Sequence, residues 1–130
     1  KPESSNEALV MLNRLNGRQH EVITGVAVVN PTGKSQTNFV STSVVFRNLE
    51  DSEISEYVST GLPLDKAGGY GIQDSSFSPV ASYDECYLNV VGLPMCVSSD
   101  LLEESGFEIG MSLVCAGHAV SGNSDYTESL

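Results

Sequence analysis

Positive charge is scarce in this chain. Its 130 residues include six lysines and arginines (Lys1, Arg14, Arg18, Lys34, Arg47 and Lys66) against 17 aspartates and glutamates, for a formal net charge of -11. A nucleic-acid-binding face needs a basic patch to neutralise phosphates, and an anionic membrane surface demands the same, so neither partner is expected. A small anionic ligand remains compatible, because two or three local cations and a metal can outweigh the global field. Cysteine is sparse too. Cys86, Cys96 and Cys115 are odd in number and show no CxxC spacing, which argues against a disulfide framework and for a reducing cytoplasm. No apolar run reaches the roughly 18 residues of a membrane-spanning helix, and no basic start with an apolar centre marks a signal peptide. Phosphate-loop, GxSxG, HExxH and GxGxxG motifs are missing. With His20 and His118 as the two histidines, a zinc site is not expected. Cys115 and His118 are spaced to share a metal, but a thiol and a histidine near a loose terminus is the simpler reading.

What is present is enough for one ordinary domain, with 40% hydrophobic residues to bury. Residues 4 to 17, "SSNEALVMLNRLNG", read as a helix: Ser4, Ser5 and Asn6 offer N-caps, and Ala8, Leu9, Met11, Leu12 and Leu15 recur at helical spacing. "HEVITGVAVVN" is a nearly continuous β-branched run, expected as a strand buried on both faces. "NPTGK" is turn chemistry, and "QTNFVSTSVVFRN" then alternates, with Val40, Thr42, Val44 and Phe46 on one side, which completes a hairpin. "EDSEISEYVSTG" reads as a second helix with Ile54, Tyr57 and Val58 inward. Its acidic first turn (Glu50, Asp51, Glu53) suits the helix dipole better than a metal. Short strands are expected around Val80 and from Tyr87 to Val91. A third helix follows in "LPMCVSSDLLEESGF", with Pro94 in its first turn and Leu101 and Leu102 facing the core. Residues 111 to 130 drift toward polarity and read as a tail. The order of elements implies an α/β architecture, a mixed twisted sheet flanked by helices.

Between the second helix and the later strands lies "LDKAGGYGIQ", residues 64 to 73. It is too polar for a core strand and too rich in glycine for a good helix. Asp65 and Lys66 are adjacent and opposite in charge. Gly68, Gly69 and Gly71 remove bulk and permit unusual backbone angles, so a ligand could approach main-chain N–H groups. Lys66 can meet a phosphate as a point charge, and the Gln73 amide can read the edge of a nucleobase. A surface turn with a local ion pair accounts for the same residues.

The neighbours of this loop change its meaning. "GLPLDKAGGYGIQ" (61 to 73), "KPESSNEALVMLNRLNGRQHEVITGVAVV" (1 to 29), "VVFRNLEDSEISEYVSTG" (44 to 61) and "NVVGLP" (89 to 94) together resemble the Maf family of nucleotide pyrophosphatases over residues 1 to about 106. The resemblance implies a Maf/ITPase-like α/β fold over residues 1–110, followed by the tail at 111–130. It implies hydrolysis of a nucleoside triphosphate to the monophosphate and pyrophosphate, by water attack on the α-phosphorus. The substrates it implies are dTTP and UTP, with modified nucleotides within range. It further implies a divalent metal, magnesium or manganese, a cytoplasmic location and, as members are often dimeric, a homodimer. By position, Lys1, Asp65 and Lys66 are the expected catalytic residues. Gln73, Gly68 and Gly69 are expected to bind substrate, and no metal ligand is assigned.

The departures from the family pattern are equally specific. The family's Ser-Pro-Arg-Arg and Asp-Thr motifs, with most metal ligands, belong before Lys1, so the chain is expected to be an N-terminally truncated domain. Asp74 replaces the usual glycine after the glutamine, and Cys86 stands where a serine is usual, while Tyr87 is kept. The alternative expectation is therefore a truncated, non-catalytic nucleotide-binding fragment, with apolar sheet edges left exposed.

Overall fold

The protein is described by a computed structural model covering residues 1–84 and 86–110. Helix α1 (Ser5–Leu15) starts where the sequence places its cap: Ser4 Oγ accepts the Glu7 N–H at 3.2 Å. The Glu7 carboxylate in turn accepts the Glu3 N–H at 2.7 Å. Satisfying these otherwise unpaired N–H groups is what makes the start definite. Ala8 and Leu12 are buried, with Leu9, Met11 and Leu15 half-buried beside them.

Strands β1 (Gln19–Val29) and β2 (Ser35–Phe46) form the hairpin. Asn30 builds its turn. The Asn30 N–H donates to the Lys34 carbonyl at 2.9 Å, and Asn30 Oδ1 accepts from the N–H groups of Thr32 and Lys34 at 3.1 and 2.9 Å. Strand β3 (Val80–Tyr83) pairs antiparallel with β2, with Val44 opposite Tyr83 and Val45 opposite Ser82, giving a small sheet in the order β1-β2-β3. Helices α2 (Asp51–Ser59), α3 (Tyr87–Val91) and α4 (Met95–Glu104) complete the α/β arrangement.

The described residues divide into two compact units. One comprises Lys1–His20 and Val44–Tyr83; the other comprises Glu21–Ser43 and the chain from Asp84 onward. In the first, Leu12, Val44, Phe46, Ile54 and Val58 are buried. His20, Phe46 and Tyr70 meet edge to face there, with centroids 4.6 to 5.6 Å apart. In the second, Val40, Cys86, Cys96, Val97 and Leu101 form an apolar cluster, with Val26 and Val28 against it.

Two expectations are corrected. Strand β1 is not buried on both faces. Its side chains alternate between half-buried and exposed, and Ile23 and Val29 are 61% and 62% exposed. One face of the strand is packed and the other is left uncovered by the described residues. Tyr87–Val91 is a single helical turn and not a strand. Its buried Asn89 decides the matter: Nδ2 donates to Val22 O, Thr42 Oγ1 and Val40 O at 3.0, 2.9 and 3.3 Å, tying α3 to β1 and β2 within the second unit. The expected tail, with Cys115 and His118, lies outside the described residues.

Candidate functional site

The polar loop begins where α2 stops. Gly61, at φ 77°, turns the chain into a short 3-10 turn (Leu62–Asp65) that buries Pro63. A second turn follows at Ala67–Gly69. Gly68 and Gly69 sit at φ 73° and 81°, a region that costs other residues steric strain. Space is not the constraint at Gly69, since a Cβ there would meet Leu12, Pro2 and Pro63 at ordinary distances of 3.8 to 3.9 Å. At Gly71 the situation is reversed. A Cβ there would sit 3.0 Å from both Lys66 Cε and Asp74 Oδ2. Here the missing side chain lets a lysine stem and a carboxylate close over the backbone.

That closure gathers the loop's charges. Lys66 Nζ donates to the Leu62 carbonyl at 2.8 Å and to Asp65 Oδ1 at 3.0 Å, and lies 3.9 Å from Asp74 Oδ2. The side chains of Lys66 and Asp74 are mostly covered, at 26% and 18% exposure, whereas Asp65 is 81% exposed. The hydrogen bond and charge of Lys66, and more weakly the charge of Lys1, hold the Asp65 carboxyl below its usual range. Asp65 and Lys66 are thus joined directly, while Lys1 acts on Asp65 only weakly through its charge. The Tyr57 hydroxyl donates to Asp74 Oδ2. Burial, followed by the Asp74 carboxylate, pushes that phenol well above its ordinary pKa.

The far end of the loop is tied to the same helix. Arg47 spreads its guanidinium over both carboxylate oxygens of Glu53, at 2.9 and 3.1 Å, and over the carbonyls of Phe77 and Ser78, both at 2.9 Å. Glu53 also accepts the Glu50 N–H at 2.9 Å. The acidic run at α2 therefore serves a helix start, as its sequence suggests, and also holds Arg47, which the sequence reading does not anticipate. Tyr57 and Phe77 stack at 4.0 Å with planes 8° apart, and an open cleft beside them is lined by Glu53, Glu56, Tyr57, Thr60, Ser76 and Phe77. Gln73 is exposed, in the turn between Gly71 and Asp74. It stands apart from the hydrogen bonds that join Lys66 to its partners.

Two contributors to this arrangement are not assigned from sequence. Tyr57 reads there as a core residue and Asp74 as a departure from the family pattern, yet their hydrogen bond anchors the loop to α2. A tyrosine on the inward face of a helix, with a hydroxyl that must find a partner, was the available signal. Among the described residues, no group of three or more His, Cys, Asp or Glu is placed to hold a metal ion. Nor do Asp65 and Asp74 fit a divalent cation as they stand. Both face the Lys66 ammonium, and Asp74 is further engaged by Tyr57.

Residues 1–105 match the family model described as Maf-like protein. The chain belongs to the Maf-like family. Its curated relatives include proteins named dTTP/UTP pyrophosphatase from three bacteria. The one from Dehalococcoides mccartyi is 46% identical over 108 residues, covering 82% of this chain and 48% of the relative. The one from Desulfitobacterium hafniense is 44% identical over 110 residues, covering 85% of this chain and 50% of the relative. The one from Thermomicrobium roseum is 43% identical over 109 residues, covering 84% and 50% respectively. The chain thus spans about half the length of these relatives. The Maf-like match includes the whole polar loop, with its Asp65–Lys66 pair. No described helix is long and apolar enough to cross a membrane.

Proposed function

We propose that this chain is part of a nucleoside triphosphate pyrophosphatase that hydrolyses dTTP or UTP to the monophosphate and pyrophosphate. The observation that carries this reading is the match to Maf-like relatives named for that activity. The pairing of Asp65 with Lys66 beside a glycine-rich turn supports it. In this reading Lys66 meets a phosphate oxygen. Two of its three N–H bonds are directed at Leu62 O and Asp65, and the remaining one is available to an anion. Lys1, which is exposed and whose charge acts weakly on Asp65, adds a second positive charge. Gly68 and Gly69 contribute through the bend they allow, which brings backbone and substrate close. Gln73, exposed in its turn, offers a donor and an acceptor to the pyrimidine edge. The two lysines and two aspartates nearly cancel, so these residues position a polyanion more than they attract it. No step is assigned to a metal, since the described carboxylates do not fit one. A cytoplasmic setting and a homodimer belong to the same reading, as implications of the family.

The test is release of pyrophosphate from UTP, dTTP, ATP and GTP with magnesium present, using this chain and a protein extended to its relatives' length. UTP and dTTP are expected to be preferred. In the active protein, Gln73→Ala is expected to narrow the preference among bases more than it slows pyrophosphate release. An unchanged base preference removes Gln73 from the site. Binding of UTP with no release from either protein would favour a nucleotide-binding role without hydrolysis.

A further inference from the structure

Lys66 is held by more than its neighbour in sequence. Its stem crosses the backbone at Gly71, where a Cβ would be 3.0 and 3.1 Å from Cε and Cδ. Its ammonium has a directed bond to Asp65, which is exposed, and a facing charge in Asp74, which is not. Asp74 in turn is fixed from three sides. Its N–H donates to the Gly71 carbonyl at 3.1 Å, and its own carbonyl accepts from Phe77 and Ser78 at 3.1 and 2.9 Å. Its carboxylate accepts the Tyr57 hydroxyl. Tyr57 is itself buried in α2 and stacked on Phe77. A continuous line therefore runs from a helix through Tyr57 and Asp74 to the lysine. Its last link is electrostatic, because 3.9 Å is beyond a hydrogen bond.

We infer that Asp74 is a positioning residue for Lys66: anchored by Tyr57, its carboxylate sets the place and the charge of the ammonium over Gly71. The exposed Asp65 constrains the lysine little, since an ion pair at the surface is weak, and the Leu62 carbonyl at 2.8 Å holds the ammonium without a counter-charge. Asp74 contributes a fixed and largely covered counter-charge, which screens less well and constrains more. Asp74 thus has a defined role in this chain. A carboxylate here also competes with any anion that approaches Lys66, so Asp74 tunes anion binding as well as locating the lysine. The inference deepens the proposed function, and it rests on that reading for the identity of the anion.

The test follows the reactivity of Lys66, since the amine acylates faster when it is less tightly held. The folded chain is treated briefly with acetic anhydride. Acetylation is counted by peptide mass spectrometry, with the exposed Lys34 as the internal reference. Asp74→Asn keeps an acceptor for Tyr57 but removes the charge, and Tyr57→Phe removes the anchor and keeps the charge. Each is expected to raise Lys66 acetylation relative to Lys34 by about three- to tenfold, as for a partly covered ion pair at this distance. Asp74→Glu is expected to fall between Asn and wild type. A shift of Lys66 reactivity with folding left intact, checked by circular dichroism, is something a merely structural residue would not produce. Lys66 reactivity unchanged in both variants would overturn the inference. If Asp74→Asn fails to fold, Tyr57→Phe decides alone. Protection of Lys66 by added UTP and magnesium in the wild-type chain tests the proposed function separately. Its absence would count against nucleotide binding and leave the nucleotide-free comparison standing.

Discussion

The loop after α2 and the apolar cluster of the second unit are organised on opposite terms. In the cluster, Val40, Cys96, Val97 and Leu101 are held by removal of surface from water, and the shape of each side chain matters more than any one partner. In the loop, turns, ion pairs and one tyrosine fix a segment that buries few apolar side chains of its own, chiefly Pro63, Tyr70 and Phe77. Burial gives stability with little chemical specificity, whereas polar anchoring gives the loop little stability but a defined geometry. Substitutions in the two regions should therefore separate folding from ligand recognition.

The largest effect on folding should come from the cluster. Leu101→Ala leaves a cavity where the side chain is 4% exposed and is expected to cost about 3 kcal/mol in urea unfolding. Nucleotide affinity of the folded fraction should be unchanged. Gly68→Ala comes next. It forces a Cβ into φ 73° and should cost about 1–2 kcal/mol while also weakening UTP binding, measured by calorimetry. If it weakens binding without a stability cost, the loop is less rigid than its turns suggest.

A smaller effect concerns acid. Burial lowers the pKa of His20 from 6.5, so folding favours the neutral ring, which pairs through Nε2 with Tyr70 Oη at 2.7 Å. The same burial pushes the Tyr70 phenol up to about 12. Because the folded pKa lies below the unfolded one, this contribution is whole above pH 6.5 and is lost as pH falls through the folded pKa. Melting temperatures between pH 7.5 and 5 should fall by less than Gly68→Ala costs, and His20→Gln should flatten that part of the slope. The smallest effect on stability, and the most selective, belongs to Gly71→Ala. Its clash is with Asp74 Oδ2 and with the stem of Lys66, and the lysine stem can give way while Asp74 stays held, so the melting temperature should hardly move. Lys66 must shift, and UTP binding should weaken severalfold. A large loss of stability there would show that the backbone and not Lys66 needs the glycine.

Much of this architecture can be read from local sequence. The Ser4 cap, the Asn30 turn and the alternating Val40, Thr42, Val44 and Phe46 specify α1, the hairpin and the buried face of β2. Each rests on residues within one or two turns of chain. Two errors had a common source. "YLNVV" is too short for its period to distinguish strand from helix, and the choice was made by Asn89, whose partners lie 47 to 67 residues away. Likewise, the β-branched content of β1 reports a strand without saying how many of its faces are covered. In the candidate site, the text of the loop singled out Lys66, Asp65 and Gln73 as groups able to meet a ligand; the structure joins Lys66 to Asp65 and leaves Gln73 apart from them. Tyr57 and Asp74 stayed silent because their hydrogen bond spans 17 residues.

Arg47 has a consequence of another kind. One guanidinium takes two carbonyls from the end of the loop and two oxygens from α2, and Arg47's own N–H donates to the Pro79 carbonyl at 3.0 Å. Opening residues 77–79 on their own would take two carbonyl acceptors from the charged fork, and opening α2 alone would take its carboxylate, so each segment raises the cost of opening the other. Loop end and helix therefore form one cooperative opening unit, in which amide protons of both exchange with solvent through a shared rare event and not by independent fraying.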